Sequence, residues 1–491
     1  MTVPTGVLHG LLDDAAARHP DTVALRTADT SWTYARLDRH SRAAAAGLGA
    51  RGITRGDRVV LFAHNSAALV SALFALSRLG AAFVIVSPTV KPYHLRHILA
   101  DCAPALVLVD DELGTVVAGT GADVPVEPLT AIAEDGTCPQ GAVGPDDVAA
   151  LIYTSGSTSM PKAVISDHAA MRFATGAVQE RLELRPGDVI GCFLPLAFDY
   201  GLYQVFLACA SGATLSLGTM ADAGPGLLRL LNEWEVTVLP AVPALAAVLL
   251  RLAARRPAGL PPLRMVTNTG AHFPESYAQE LRRHFPAARL HPMFGLTECK
   301  RVSILLPGEL AERPGSVGRP LSGTTCLIVD EHGRPVPPGT KGELVVRGPH
   351  VMRGYHNAPE QTARRFRTLD GERALFTGDL CSMDEDGFLY FHGREDDVYK
   401  SRGFRVSALE VEAAALDVDG VTAAAVVLSE ERGALLAVRT ARTTDEVRAG
   451  LRARLDDHKV PDHIHRVDAL PLNTNGKVDK AALRRALETG R

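Results

Sequence analysis

Along the chain, short apolar runs alternate with longer stretches in which apolar residues recur every three or four positions. Residues 57–63 (DRVVLFA), 82–87 (AFVIVS) and 105–110 (ALVLVD) are compact and rich in β-branched residues, which predicts buried strands. Between the first two, the spacing predicts a helix from about Ser66 to Leu79. Residues 6–19 and 34–51, rich in Ala, Leu and Arg at helical spacing, predict two more. Strand, helix and strand in this rhythm imply a parallel sheet covered by helices. Strand-like runs return at 189–196 (VIGCFLPL), 214–218 (TLSLG), 235–243 (EVTVLPAVP) and 263–270 (LRMVTNTG).

After residue 320 the texture changes. Residues 324–348 read as strands joined by Gly/Pro turns, a small β unit, and 387–396 (GFLYFHGRED) as a strand followed by a charged turn. Beyond it, 407–417 predicts a helix, 421–429 and 433–440 predict strands, and 444–455 another helix. The expected fold is therefore α/β. A large N-terminal domain (1–394) holds parallel sheets covered by helices plus the small β unit, and a small C-terminal α+β domain occupies 395–491.

Composition narrows the function. The 491 residues are 46% hydrophobic and 22% charged, ordinary globular usage, and the net charge of −4 lacks the basic excess of a nucleic-acid binder. Seven scattered cysteines (Cys102, Cys138, Cys192, Cys209, Cys299, Cys326 and Cys381) form no CxxC pair, so no regular zinc site is expected. They read as reduced thiols of a cytoplasmic protein. The N-terminus lacks a signal-peptide pattern. The most apolar stretch, 67–86, contains Arg78 and Gly80, so it reads as core and not as a membrane span.

Lysine is scarce, eight against 44 arginines, which draws attention to Lys162 and Lys477 in Gly-containing turns. Lys162 closes the segment 151–164 (LIYTSGSTSMPKAV), where an apolar strand runs into a loop of Ser, Thr and Gly. Closely spaced backbone N–H groups, hydroxyls and one cation can cradle a polyphosphate. The segment does not match the Walker pattern GxxxxGK[ST], and a Ser/Thr-rich surface turn is the plainer alternative.

That loop resembles the phosphate loop of the adenylate-forming superfamily, which includes acyl-CoA synthetases, amino-acid adenylation domains and luciferases. Further segments follow in the family's order: FGLTE (294–298), FTGDL (376–380), GREDDVYKSRGFRVSALEVE (393–412) and PLNTNGKVDK (471–480). Ser159 and Ala163 stand where the family usually has Gly, which implies altered loop flexibility. The resemblance implies an AMP-forming ligase that uses ATP and Mg²⁺. A carboxylate is first joined to AMP as a mixed anhydride, and a thiol then displaces AMP. Bringing an anionic acid to an anionic nucleotide is mostly charge neutralisation and positioning.

By the resemblance, Thr154, Ser155, Gly156, Ser157, Thr158 and Lys162 grip the β- and γ-phosphates. Phe294 lies against the adenine, Gly270 and Ala271 line its pocket, Thr297 contacts the α-phosphate, and Glu298 holds Mg²⁺. Asp379 and Arg394 reach the ribose, the latter also phosphate. Lys477 is the main catalytic residue, carried in by a mobile small domain that turns about Asp396. The plain alternatives are a turn aspartate at Asp379, a solvated loop acid at Glu298 and an exposed lysine at Lys477. After pyrophosphate leaves, rotation presents the 400–406 loop, with Gly403 lining a thiol channel and Arg405 near the AMP phosphate.

The acid is read from FLPLAFDYGLYQVF (193–206). Amino-acid adenylation domains carry an aromatic residue and Asp, as in Phe198–Asp199, where the aspartate pairs with the substrate ammonium. Many acyl- and aryl-CoA ligases have His in place of the aromatic. Capping of a helix near Gly201 is the structural alternative for Asp199. The same alignment brings Tyr200, Tyr203, Val238, Thr267, Thr269, Met293, Arg301 and Val302 to the pocket, although tyrosine and methionine are also ordinary core residues. Pointing inward, Arg301 favours a second acidic group; pointing outward, it joins Lys300 in facing a carrier or solvent. The partners implied are a small carboxylic acid, read as an amino acid, and a carrier protein in trans or CoA, with neither nucleic acid nor membrane. A CoA ligase for another acid and an adenylating enzyme with a nitrogen acceptor are the alternatives.

Overall fold

The computed structural model describes residues 6–133, 142–154, 160–270, 273–394, 398–401, 404–429, 432–473 and 477–489. A six-stranded sheet runs in the order Val126–Pro128, Leu106–Val109, Arg58–Phe62, Ala82–Val86, Val148–Thr154, Lys162–Asp167. All neighbours are parallel except the last pair, a hairpin in which Thr154 faces Lys162. The helix Ala67–Leu79 covers it. Ser66 caps its start by accepting from the Leu69 N–H at 3.2 Å, and Gly80 ends it at φ 70°, a left-handed turn suited to glycine. Arg78, inside this apolar helix, is neutralised by Asp13 and Asp38 at 2.8 and 2.6 Å, so its charge is stabilised within the core.

The second sheet has a parallel centre: Val23–Arg26, Thr214–Leu217, Val189–Cys192, Val238–Ala241, Met265–Asn268 and Arg289–Phe294. The β unit expected after residue 320 is not separate from it. Strands Ser303–Ile304 and Ser316–Pro320 continue the sheet in antiparallel fashion into Leu389–Arg394, Glu372–Met383, Gly342–Arg347 and Thr325–Val329. The parallel strands of this sheet end together at Ala241, Asn268 and Phe294, on one edge. In parallel α/β sheets, ligands gather at the carboxyl ends of strands.

The small C-terminal domain has its own apolar cores. Strands Val421–Ser429, Gly433–Thr440 and His463–Arg466 pack against helices Ala408–Leu416, Thr444–Arg452 and Lys480–Thr489. It touches the large domain where the Tyr277 hydroxyl donates to the Thr422 carbonyl at 3.1 Å. Among the described residues no helix is long and apolar enough to cross a membrane. The six described cysteines are buried and free, and burial pushes the Cys192 and Cys209 thiols up to about 12.

Candidate active site

The antiparallel pair Val148–Thr154 and Lys162–Asp167 sets Thr154 opposite Lys162. Ser155, Gly156, Ser157 and Thr158 lie outside the described residues, but the strand register brings the loop's two ends side by side. Lys162 stands with its Nζ 5.9 Å above the Tyr355 ring. Burial and the nearby Arg365 charge lower its pKa, while Glu298 opposes the fall. Tyr355 carries no local sequence signal and was missed by the motif reading. Its hydroxyl donates to Glu298 Oε1 at 2.7 Å. It sits on a strap, residues 352–356, whose backbone bonds to Ile165 and Ala163 on one side and to the Glu298 carbonyl on the other. A single tyrosine thus bridges the loop lysine and the carboxylate.

Thr297, beside Glu298, donates to Asp199 Oδ2 at 3.1 Å. Phe294 ends its strand with its ring 5.2 Å from Phe391. Asp379 is 1% exposed, lies across the strand pair from Arg394 and donates its own N–H to Thr377. Arg405 falls on strand Phe404–Ser407 opposite Lys400. Ala271, Asp396 and Gly403 lie outside the described residues.

Lys477 crosses from the small domain into this cleft. Its turn is held by reciprocal bonds with Asn473: Lys477 N–H to Asn473 Oδ1 at 3.0 Å, and Asn473 N–H to the Lys477 carbonyl at 2.7 Å. Its Nζ lies 5.4 Å over the Phe198 ring. Gly270 lies under it at φ 91°, and a β-carbon there would come within 3.4 Å of Lys477 Cε. Glycine adopts that left-handed turn without strain, and an added β-carbon would meet the lysine only at ordinary contact distance.

The acyl cavity adjoins Phe198. It is lined by Asp199, Tyr200, Tyr203, Thr267, Met293 and Arg301, as expected, and by Lys300 and Gln204, which the sequence reading did not assign to it. Free space is about 10 Å³, room for about one water. Asp199 opens the helix Asp199–Ser211, yet Phe198 is the cap residue and no side-chain cap bond forms, so the capping alternative is not met. Arg301 points inward: its guanidinium lies 5.3 Å from the Tyr200 ring, and NH1 donates to Thr269 Oγ1 at 3.0 Å. The Tyr200 hydroxyl meets Thr267 Oγ1 at 2.6 Å. Val238 and Val302, also expected there, are 2% and 0% exposed and, like Thr269, are not among the residues lining this cavity.

Lys300 is the unexpected member. It is 3% exposed and sits at φ 61°, a left-handed conformation costly for lysine. Gly295 makes the turn possible, because a β-carbon there would fall 1.9 Å from the Lys300 carbonyl oxygen. The ammonium lies 5.7 Å from the Tyr203 ring. Burial brings its pKa down to about 8 against the opposing pull of Asp199 and Glu298. Among the described residues, Lys300 Nζ, Arg301 Nε and Tyr203 Oη have no hydrogen-bond partner despite burial. Unsatisfied buried polar atoms converging on a cavity mark a place where a polar ligand completes the bonding.

Comparison with known proteins agrees with the motifs. The model of the AMP-binding enzyme family matches residues 12–356, and that of the AMP-binding enzyme C-terminal domain matches 410–477. The chain belongs to the AMP-binding enzyme family. The family falls within the adenylate-forming superfamily, whose AMP-binding enzymes use ATP. The L-proline–[L-prolyl-carrier protein] ligase of Pseudomonas fluorescens is 32% identical over 98% of this chain and 99% of its own length. The AMB antimetabolite synthetase AmbB of Pseudomonas aeruginosa is 33% identical over 99% of this chain, but the chain spans 39% of that protein. Among solved structures, VinN, also seen in complex with L-aspartate, is 41% identical with a TM-score of 0.73, covering 79% of this chain and 99% of its own. The O-succinylbenzoate CoA synthetase of Bacillus subtilis with AMP is 26% identical with a TM-score of 0.85, covering 98% of both chains.

Proposed function

We propose that this enzyme adenylates an amino acid bearing a second acidic group, of the aspartate type, and passes the aminoacyl group to the phosphopantetheine thiol of a carrier protein. The observation that carries the reading is the pairing, in one small cavity, of a carboxylate (Asp199) with two cations, the buried Lys300 and the half-buried Arg301, whose Nζ and Nε atoms have no hydrogen-bond partner. A neutral side chain would leave both cations uncompensated in the occupied site, a costly arrangement, whereas a carboxylate answers them. Asp199 faces the substrate ammonium. The VinN complex with L-aspartate and the prolyl-carrier ligase support the acid and the acceptor, respectively.

In the first step a substrate carboxylate oxygen attacks the α-phosphorus, the bond to the β-phosphate oxygen breaks, and pyrophosphate leaves. Lys477, above Phe198 and Gly270, neutralises charge gathering on the carboxylate and α-phosphate oxygens. Lys162 and the phosphate loop hold the leaving pyrophosphate. Glu298 offers a half-buried carboxylate with one oxygen oriented by Tyr355, a donor that fits a divalent cation beside phosphates. Mg²⁺, when bound, supplies charge neutralisation on the phosphates. Asp379 and Arg394 hold the ribose. In the second step the thiol sulfur, having given up its proton, attacks the acyl carbon and AMP leaves. Rotation of the small domain (395–491) about Asp396 withdraws Lys477 and presents Gly403 and Arg405.

Amino-acid-dependent exchange of labelled pyrophosphate into ATP, run over acidic, neutral, basic and aromatic acids, tests the reading. Exchange with aspartate-type acids above all others is expected. A preference for aryl or fatty acids would overturn it, and transfer to CoA with no loading of any holo-carrier would overturn the acceptor.

A further inference from the structure

The large domain carries a positive surface that its own folding does not explain. Helices Pro243–Arg255 and Glu275–His284 pack side by side. Between them they expose Arg251, Arg255, Arg282 and Arg283, with Arg256 just beyond the first. Their own acids are only Glu275 and Glu280. Among the described residues, none of these five arginines forms an ion pair; Arg283 meets only the ring of its neighbour His284, at 3.4 Å. The chain as a whole is net negative, at −4, so this positive field is local.

Its position gives it meaning. Glu275–His284 begins five residues after Gly270, on which Lys477 rests, and its first turns meet the small domain through Tyr277 and Thr422. Arg282 and Arg283 stand in the last turn of this ten-residue helix, which is about 15 Å long. A pantetheine arm, comparable to about five extended residues, spans about 18 Å.

We infer that this arginine surface docks the acidic face of the holo-carrier protein, holding it one pantetheine arm from the acyl-adenylate. The inference rests on the carrier reading above. Exposed charges of this kind steer encounter and fix orientation, and they act on association more than on chemistry.

The test is the double variant R282E/R283E, assayed with the carrier that the wild-type enzyme loads best from a panel of phosphopantetheinylated peptidyl carriers. The expected result is a loss of about tenfold or more in kcat/KM for the carrier, with a flattened salt dependence. Amino-acid-dependent pyrophosphate exchange and transfer to free pantetheine should stay at wild-type rates, which also shows that the variant is folded. Carrier loading with unchanged KM and unchanged salt dependence would overturn the docking surface and leave the carrier reading intact. Equal losses with carrier and free pantetheine would overturn it too, since the defect would then lie in the chemistry. A wild-type enzyme that forms the adenylate but loads no carrier would overturn the carrier reading and this inference with it.

Discussion

Lys300→Met separates binding from stability, because the lysine is costly to the empty protein. Its ammonium is buried without a hydrogen-bond partner, and its pKa falls from the usual 10.5 to about 8. That fall corresponds to about 3 kcal/mol of destabilisation of the charged form. The methionine keeps the volume but loses the contact with the Tyr203 ring, worth about 1 kcal/mol. The ligand-free variant should therefore be more stable than wild type by about 2 kcal/mol at pH 7. The sign with pH is fixed. Between about 8 and 10.5 the folded state holds fewer protons than the unfolded one, so wild-type stability rises with pH across that window and the advantage of Lys300→Met shrinks. Urea unfolding at pH 7 and pH 9.5 without ligands measures both effects. The same variant should lose exchange with aspartate while retaining weak exchange with neutral amino acids. A Lys300→Met protein that is less stable at pH 7, or that still prefers aspartate, would refute the idea that this lysine is held unpaired for an anionic substrate.

Asp199→Asn removes the group facing the ammonium; kcat/KM for the amino acid should fall by about two orders of magnitude or more, as for truncation of a buried charge pair. ATP binding should be unchanged by calorimetry, and an equal loss of nucleotide affinity would count against the assignment. Tyr355→Phe deletes the 2.7 Å bond to Glu298. It should raise the Mg²⁺ concentration for half-maximal exchange severalfold and weaken Mn²⁺ binding to the ATP complex by electron paramagnetic resonance; unchanged metal dependence would leave Tyr355 a packing residue. Lys477→Ala should abolish adenylation but spare thioester formation from supplied aminoacyl-adenylate, and equal loss of both steps would remove Lys477 from the first.

The parallel-sheet core was legible because its strands are buried on both faces and stand as unbroken apolar runs, as at 82–87 and 105–110. Lys162, Glu298, Asp379 and Lys477 stand out in the sequence because their segments carry chemistry locally. Tyr355 was not: it owes its place to backbone pairing between residues 352–356 and a strand almost two hundred positions earlier. Lys300 was missed for a similar reason, whereas Arg301 was expected at the pocket. Adjacent residues point apart in a strand, but the left-handed backbone at Lys300 breaks that alternation and sends both cations to one cavity.

The most direct measurement is wild-type pyrophosphate exchange with L-aspartate against L-asparagine, which share shape and ammonium and differ in the charge offered to Lys300 and Arg301. The account expects aspartate to be favoured at least a hundredfold in kcat/KM, about 3 kcal/mol. Equal use of the two acids, or a preference for asparagine, would contradict it.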